Sequence, residues 1–192
     1  LEDNIEAVKI AEKAGAEFVL LCYPAYFYPR SLDEVYAYTK AFCDATSLAV
    51  MLFPMTTWGF SRLHPADMPV SLLRRLVEDC PNIVAIKESA PDSRRFTDLI
   101  NAFGDRFVLF AGLDDVAFEG LTLGARGWVS GLTNAFPAES LALYEALKRG
   151  DLERATRGAL SRQVGELNQQ VADLDRQVEF FHAQSGRPRK AA

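Results

Sequence analysis

Cysteine and histidine are both scarce in this chain, and their placement removes several classes of protein at once. Among 192 residues the cysteines are Cys22, Cys43 and Cys80. An odd number with no C-x-x-C spacing excludes a disulfide scaffold and a zinc ribbon. His64 and His182 stand far from any ligand partner in the sequence, so no metal is expected, and no motif implies an organic cofactor. No apolar run reaches the ~18 residues of a membrane span. Broad basic stretches are missing too, with a net charge of −5 and a pI near 5.1, so neither a membrane nor nucleic acid is an expected partner. The sequence starts at Leu1 and not at a methionine, and its first residues do not read as a signal peptide, so none is expected. What is present is an ordinary globular balance, 49% hydrophobic and 24% charged. That balance excludes a disordered chain and is enough, at this length, for one domain with a sizeable core. Reduced thiols suit a cytoplasmic protein.

Two periodicities alternate. Residues 17–23 (EFVLLCY), 47–53 (SLAVMLF), 82–87 (NIVAIK), 106–111 (RFVLFA) and 126–130 (RGWVS) are short and mostly apolar, as strands buried on both faces are. Amphipathic stretches lie around them at 2–14, 31–45, 69–79, 92–103, 115–123 and 137–149. Ser31 with Glu34 three residues on forms a capping box. Pro69 and Pro137 sit where a first helical turn tolerates proline, and Gly15 and Gly124 close helices just ahead of strands. This alternation predicts βαβ units and a parallel sheet, either open and doubly wound or closed as a (β/α) barrel. A dinucleotide-binding sheet needs a glycine-rich turn after its first strand. Here that place reads Tyr23-Pro24-Ala25-Tyr26-Phe27-Tyr28-Pro29, so the dinucleotide and P-loop readings fail.

From about Asp151 the pattern becomes one long helix. Leu160, Val164, Leu167, Val171, Leu174, Val178 and Phe181 recur at alternating steps of four and three, a heptad seam that predicts a helix packed lengthwise on the domain or, alternatively, a coiled coil. Gly158 and Gly165 weaken the coiled coil. The expected organisation is therefore an α/β region over 1–150, a helical extension over 151–184 and a basic tail over 185–192.

In parallel α/β folds reactive groups collect at the carboxyl ends of strands. Those ends carry Tyr26 and Tyr28, then Thr56, Thr57 and Trp58, then Lys87-Glu88-Ser89, then Gly112-Leu113-Asp114-Asp115, and finally Ser130 to Asn134. Lys87 is the sharpest of them. It closes the apolar run Ile83-Val84-Ala85-Ile86, where desolvation lowers a lysine pKa from near 10.4 and makes a nucleophilic, Schiff-base-forming amine. The alternative is a lysine that snorkels from the strand end and pairs with Glu88.

The segment Ile83-Val84-Ala85-Ile86-Lys87-Glu88-Ser89 resembles the lysine signature of the dihydrodipicolinate synthase / N-acetylneuraminate lyase family. Three further segments fall in that family's order: Pro24-Ala25-Tyr26-Phe27-Tyr28-Pro29, Ala111-Gly112-Leu113-Asp114-Asp115, and Gly124-Ala125-Arg126-Gly127-Trp128-Val129-Ser130 through Asn134. Residues 137–155 are similar to the helix that follows. The resemblance covers about Glu2 to Ala155 and implies a (β/α)8 barrel whose lysine condenses with pyruvate or another 2-keto acid. Carried over, Lys87 is the imine former and Tyr26 the loop tyrosine that reaches across a subunit interface into a proton relay. Val129 and Gly112 lie against the bound keto acid. A homo-oligomer, dimer or tetramer, is implied as well.

Two departures stand out. Where the family has a proton-transferring tyrosine, this chain has Phe53, whose phenyl ring cannot move a proton. Where several members bind a substrate carboxylate with arginine, the run is Thr56-Thr57-Trp58-Gly59, so Thr57 and Trp58 would shape the substrate end instead. The family's carboxylate-binding loop and first three strands have no counterpart, and the chain reads as the C-terminal part of a barrel. An interior opened in this way is expected to expose apolar faces and two sheet edges. The alternative function is a non-catalytic member that binds a small keto acid or helps assemble an oligomer, motivated by Phe53.

Overall fold

A computed structural model gives the fold and describes residues 1–23, 31–54, 68–156, 158, 176 and 177. The alternating periodicities become helices and strands close to their expected limits: α1 (Glu2–Lys13), β1 (Phe18–Cys22), α2 (Leu32–Asp44), β2 (Ala49–Phe53), α3 (Val70–Asp79), β3 (Ile83–Glu88), α4 (Arg94–Phe103), β4 (Val108–Ala111), α5 (Ala117–Thr122), β5 (Gly127–Trp128), a 3-10 turn at Leu132–Asn134, and α6 (Pro137–Lys148). The chain divides into two compact units, Leu1–Pro137 and Ala138–Ala192.

In the first unit all neighbouring strands pair in parallel, in the order β1-β2-β3-β4-β5. That order decides between the two architectures the sequence allows. A doubly wound sheet reverses its strand order at a switch point, whereas strands laid down strictly in sequence wind one way, as in a (β/α) barrel.

The capping box forms as read: Ser31 is the N-cap of α2, and its Oγ accepts from the Glu34 amide at 3.3 Å. Ser31→Ala should therefore cost about 1 kcal/mol, seen as a Tm about 2–4 °C lower in a thermal melt. Gly15 and Gly124 follow α1 and α5 with φ of 88° and 117°, values a side chain disfavours and glycine adopts freely.

The core lies between the sheet and its helices. Leu21, Val50, Leu52, Ile83, Ile86, Leu109 and Ala111 meet Val35, Phe42, Leu72, Leu73, Leu76, Phe96 and Leu99. Register places Leu52 beside Ile86 and Ile86 beside Leu109, so one row of side chains faces the helices across three strands. An irregularity opposite Val50 and Met51 puts Ile83 in this core with Ile86 and leaves Val84 turned away, 40% exposed. At the amino-terminal end of β3, the Asn82 side-chain amide donates to the carbonyls of Cys43 and Thr46 at 3.0 and 3.2 Å. It thereby satisfies carbonyls that the end of α2 leaves without helical partners.

The opposite face of the sheet carries Cys22, Phe53, Lys87, Phe110 and Gly127 in one row, by the pairings of Cys22 with Phe53, Lys87 with Phe110, and Phe110 with Gly127. Toward the amino-terminal ends this face is apolar and open, with Phe18 59%, Leu20 36% and Val108 39% exposed. An incompletely closed barrel shows its interior in this way, as the sequence led one to expect.

In the second unit Leu143, Ala146 and Ala155 are buried. Gly150, at φ 75°, turns the chain after α6. The heptad positions from Leu160 to Phe181 lie outside the described residues. No described helix is long and apolar enough to cross a membrane.

Candidate active site

Strand alternation settles where Lys87 and Glu88 point. They are consecutive in β3 and face opposite sides of the sheet, so the pairing of Lys87 with Glu88 that the sequence allows does not form. Glu88 turns to the helix side, is 1% exposed, and pairs with Arg95 at the start of α4, with Nε to Oε2 at 3.1 Å. Its Oε1 accepts from the Ala90 amide at 2.8 Å, and Arg95 also donates to the Met68 carbonyl. One buried carboxylate thus ties the end of β3 to the turn that follows it and to the first turn of α4.

Lys87 turns to the open face, where its Nζ lies 3.8 Å from the centre of the Phe53 ring. Among the described residues no carboxylate lies within ion-pair distance of this amine. Burial pushes its pKa below the ordinary lysine value, while Asp114 and, once ionised, the Cys22 thiol act in the other direction. Lys40 makes the contrast: its amine is paired with Asp44 at 2.8 Å, and that hydrogen bond holds its pKa up. A lysine whose charged form is poorly solvated and unpaired has more free amine at neutral pH, and free amine is the nucleophile that attacks a ketone carbon.

Gly112 explains how the amine's stem finds room. Its amide donates to the Glu88 carbonyl at 2.8 Å, drawing the end of β4 tightly against β3. A Cβ at Gly112 would stand 2.7 Å from that carbonyl and 2.8 Å from Cγ of Lys87, and would collide with the Ser89 hydroxyl. Backbone on one side and the lysine stem on the other leave no position for a methyl group. Gly112→Ala should therefore cost about 1–3 kcal/mol through overpacking and displace the amine. Denaturant unfolding reads the first effect, and the labelling rate of Lys87 with an amine reagent reads the second.

Beyond β5 the chain is held by Asp114. Its Oδ1 accepts from the Ser130 hydroxyl at 2.7 Å and its Oδ2 from the Leu132 amide at 2.9 Å, while Ser130 Oγ accepts from the Thr133 amide at 2.9 Å. These bonds account for the shortness of β5, expected over 126–130 but confined to Gly127–Trp128. Val129 still donates to the Ala111 carbonyl at 2.9 Å, beside Gly112, and after it the ladder gives way to the side-chain cluster.

Of the residues singled out from sequence, the structure brings Lys87, Phe53 and Gly112 together, with Val129 on the neighbouring strand end. Tyr26, Thr57 and Trp58 lie outside the described residues. Two groups were missed. Cys22 shares the amine's face, and counting alternate residues back from the end of β1 would have shown it. The partner of Glu88 was also missed, and no local pattern marks Arg95.

Three comparisons bear on these observations. A 5-dehydro-4-deoxyglucarate dehydratase of Saccharopolyspora erythraea, named as probable, is 33% identical over 150 residues, which is 77% of this chain and 46% of the relative. The solved 4-hydroxy-tetrahydrodipicolinate synthase of Methylacidiphilum fumariolicum superposes with a TM-score of 0.77 at 28% identity, over 98% of this chain and 61% of that one. The dihydrodipicolinate synthase of Acinetobacter baumannii, solved in complex with pyruvate, gives a TM-score of 0.71 at 29% identity, over 81% of this chain and 51% of that one. The chain spans about half the length of the curated relatives it matches, and its five strands are part of a (β/α)8 barrel. Residues 1–176 match the dihydrodipicolinate synthetase family. That stretch takes in all five strands and every site residue described above, and the chain belongs to this family.

Proposed function

We propose that the chain is the lysine-bearing part of a Schiff-base-forming lyase that acts on pyruvate or another 2-keto acid. The observation that carries this reading is the Lys87 amine: at a strand end, depressed in pKa by burial, against the Phe53 ring and free of a carboxylate partner among the described residues. Its nitrogen attacks the ketone carbon, the carbinolamine loses water, and the protonated imine draws electrons from the neighbouring carbon. A bond at that carbon can then break or form, as in aldol cleavage, aldol addition or dehydration.

The surrounding residues take roles consistent with that chemistry. Gly112 and Val129 lie against the keto acid, and Tyr26 belongs to a proton relay completed by a second subunit of a homo-oligomer. Phe53, Thr57 and Trp58 shape the far end of the substrate. A phenyl ring against the amine supplies no proton, which favours a sugar-acid or aromatic keto acid over the lysine-biosynthetic substrate. The dehydratase name carried by the Saccharopolyspora relative is in keeping with this choice. The reaction belongs to the cytoplasm.

Imine formation makes the methyl protons of pyruvate acidic, so the test is their exchange in deuterated water, followed by NMR. Exchange that requires Lys87 is expected. A protein that binds pyruvate without promoting exchange would be a non-catalytic member and would overturn the proposal.

A further inference from the structure

We propose that Gly127 is a positioning residue for the site: having no side chain, it seats the Phe110 ring over β5 and keeps that ring off the Lys87 amine, so that a keto acid can reach it. The inference rests on Lys87 as imine former, and adds to that site a residue that acts through its neighbour.

Lys87, Phe110 and Gly127 are successive neighbours on the open face, Lys87 paired with Phe110 across β3 and β4, and Phe110 with Gly127 across β4 and β5. A side chain on the middle strand of such a row can meet either neighbour. Phe110 meets Gly127. A Cβ at Gly127 would stand 2.6 Å from Cε1 and 2.7 Å from Cδ1 of the Phe110 ring, well inside the roughly 3.5–4.0 Å of ordinary carbon contact. One edge of the phenyl ring therefore lies where a side chain would begin.

The amine goes the other way. Its stem passes Gly112, and Nζ comes to rest 3.8 Å from the centre of the Phe53 ring on β2. Two side chains that share a ladder position thus diverge, the amine toward β2 and the ring toward β5. Between them lies an approach to the amine, with the ring edge as its apolar wall. Lys87 and Phe110 are both half-buried, so this approach starts from the open face and not from the core. The backbone itself does not require the glycine: unlike Gly15 and Gly124, Gly127 has no positive φ. An alanine there meets only the ring. A phenylalanine on a strand has more than one staggered well, and a ring displaced from β5 turns toward its other neighbour, Lys87, and covers the amine.

The test needs no keto acid. Lys87 is labelled with trinitrobenzenesulfonate, a bulky aromatic amine reagent, and its rate is read by peptide mass analysis against exposed Lys9. In G127A the Lys87 rate is expected to fall severalfold, because the displaced ring covers the amine. In the double variant F110A/G127A it is expected to return to the rate of F110A, because without the ring the added methyl group blocks nothing. That rescue separates positioning from a general loosening of the sheet, which truncating a phenylalanine would worsen. An unchanged rate in G127A, or a double variant as slow as G127A, would overturn the proposal. Should G127A fail to melt cooperatively, the double variant decides. A cooperative melt with the F110A rate supports the proposal, while a slower rate or a lost melt counts against it. Absence of imine formation with pyruvate would leave these labelling rates intact, so the two readings fail separately.

Discussion

Replacing Glu88 by alanine is expected to destabilise the fold by about 3–5 kcal/mol, the cost of removing one partner from a buried ion pair. Glu88 is 1% exposed and Arg95 keeps only 16% of its side-chain exposure, so the guanidinium left behind cannot recover its hydration. The Ala90 amide, now bonded at 2.8 Å, loses its acceptor in the same step. The loss should therefore exceed what the truncated methylenes alone would give. A double variant, Glu88→Leu with Arg95→Met, should recover much of the stability, because an apolar pair of similar volume replaces both charges. Denaturant unfolding of the two single variants and the double variant checks this. A loss in the double variant equal to the sum of the losses in Glu88→Leu and Arg95→Met would show that the pair is not coupled.

Lys87→Met should do the opposite: abolish imine chemistry while leaving the fold intact or more stable. Burial lowers the amine's pKa in the folded chain, so the unfolded chain holds the proton more tightly. Folding therefore carries a penalty below the folded pKa, and the penalty is relieved as pH rises from the folded value toward the unfolded lysine value. Methionine has the same reach and no charge, so Lys87→Met should gain stability at neutral pH, and the gain should shrink as the pH becomes alkaline. Melting curves at neutral and alkaline pH give the comparison. A lysine kept for structure would lose stability on this exchange at every pH, which would contradict a catalytic role.

The strands were legible because each is an apolar run cut off by turn chemistry. Gly15 and Gly124 stop a helix in the residues before a strand, and Ser31 with Glu34 starts one after a strand. These are local signals, and the structure keeps the expected limits to within two residues. Lys87 was legible for the same reason, as a charge closing an apolar run. What remained hidden depends on the sheet. Glu88 neighbours Lys87 in sequence but lies on the other face, and its partner Arg95 is identified only once α4 packs over β3. The clamp at Asp114 joins residues sixteen apart through side chains, and no period marks it. Choosing between an open sheet and a barrel required the strand order, which is a property of pairing rather than of any one segment.

The proposal that Lys87 forms the imine is tested most directly by reductive trapping with residue-level mapping. Pyruvate is added, the mixture is reduced with borohydride, and peptides carrying Lys9, Lys13, Lys40 and Lys87 are compared by mass spectrometry. A carboxyethyl adduct concentrated on Lys87, absent from Lys40 and lost in Lys87→Met, is the expected result. An adduct spread evenly over the lysines, or none with pyruvate or any other small 2-keto acid, would contradict it.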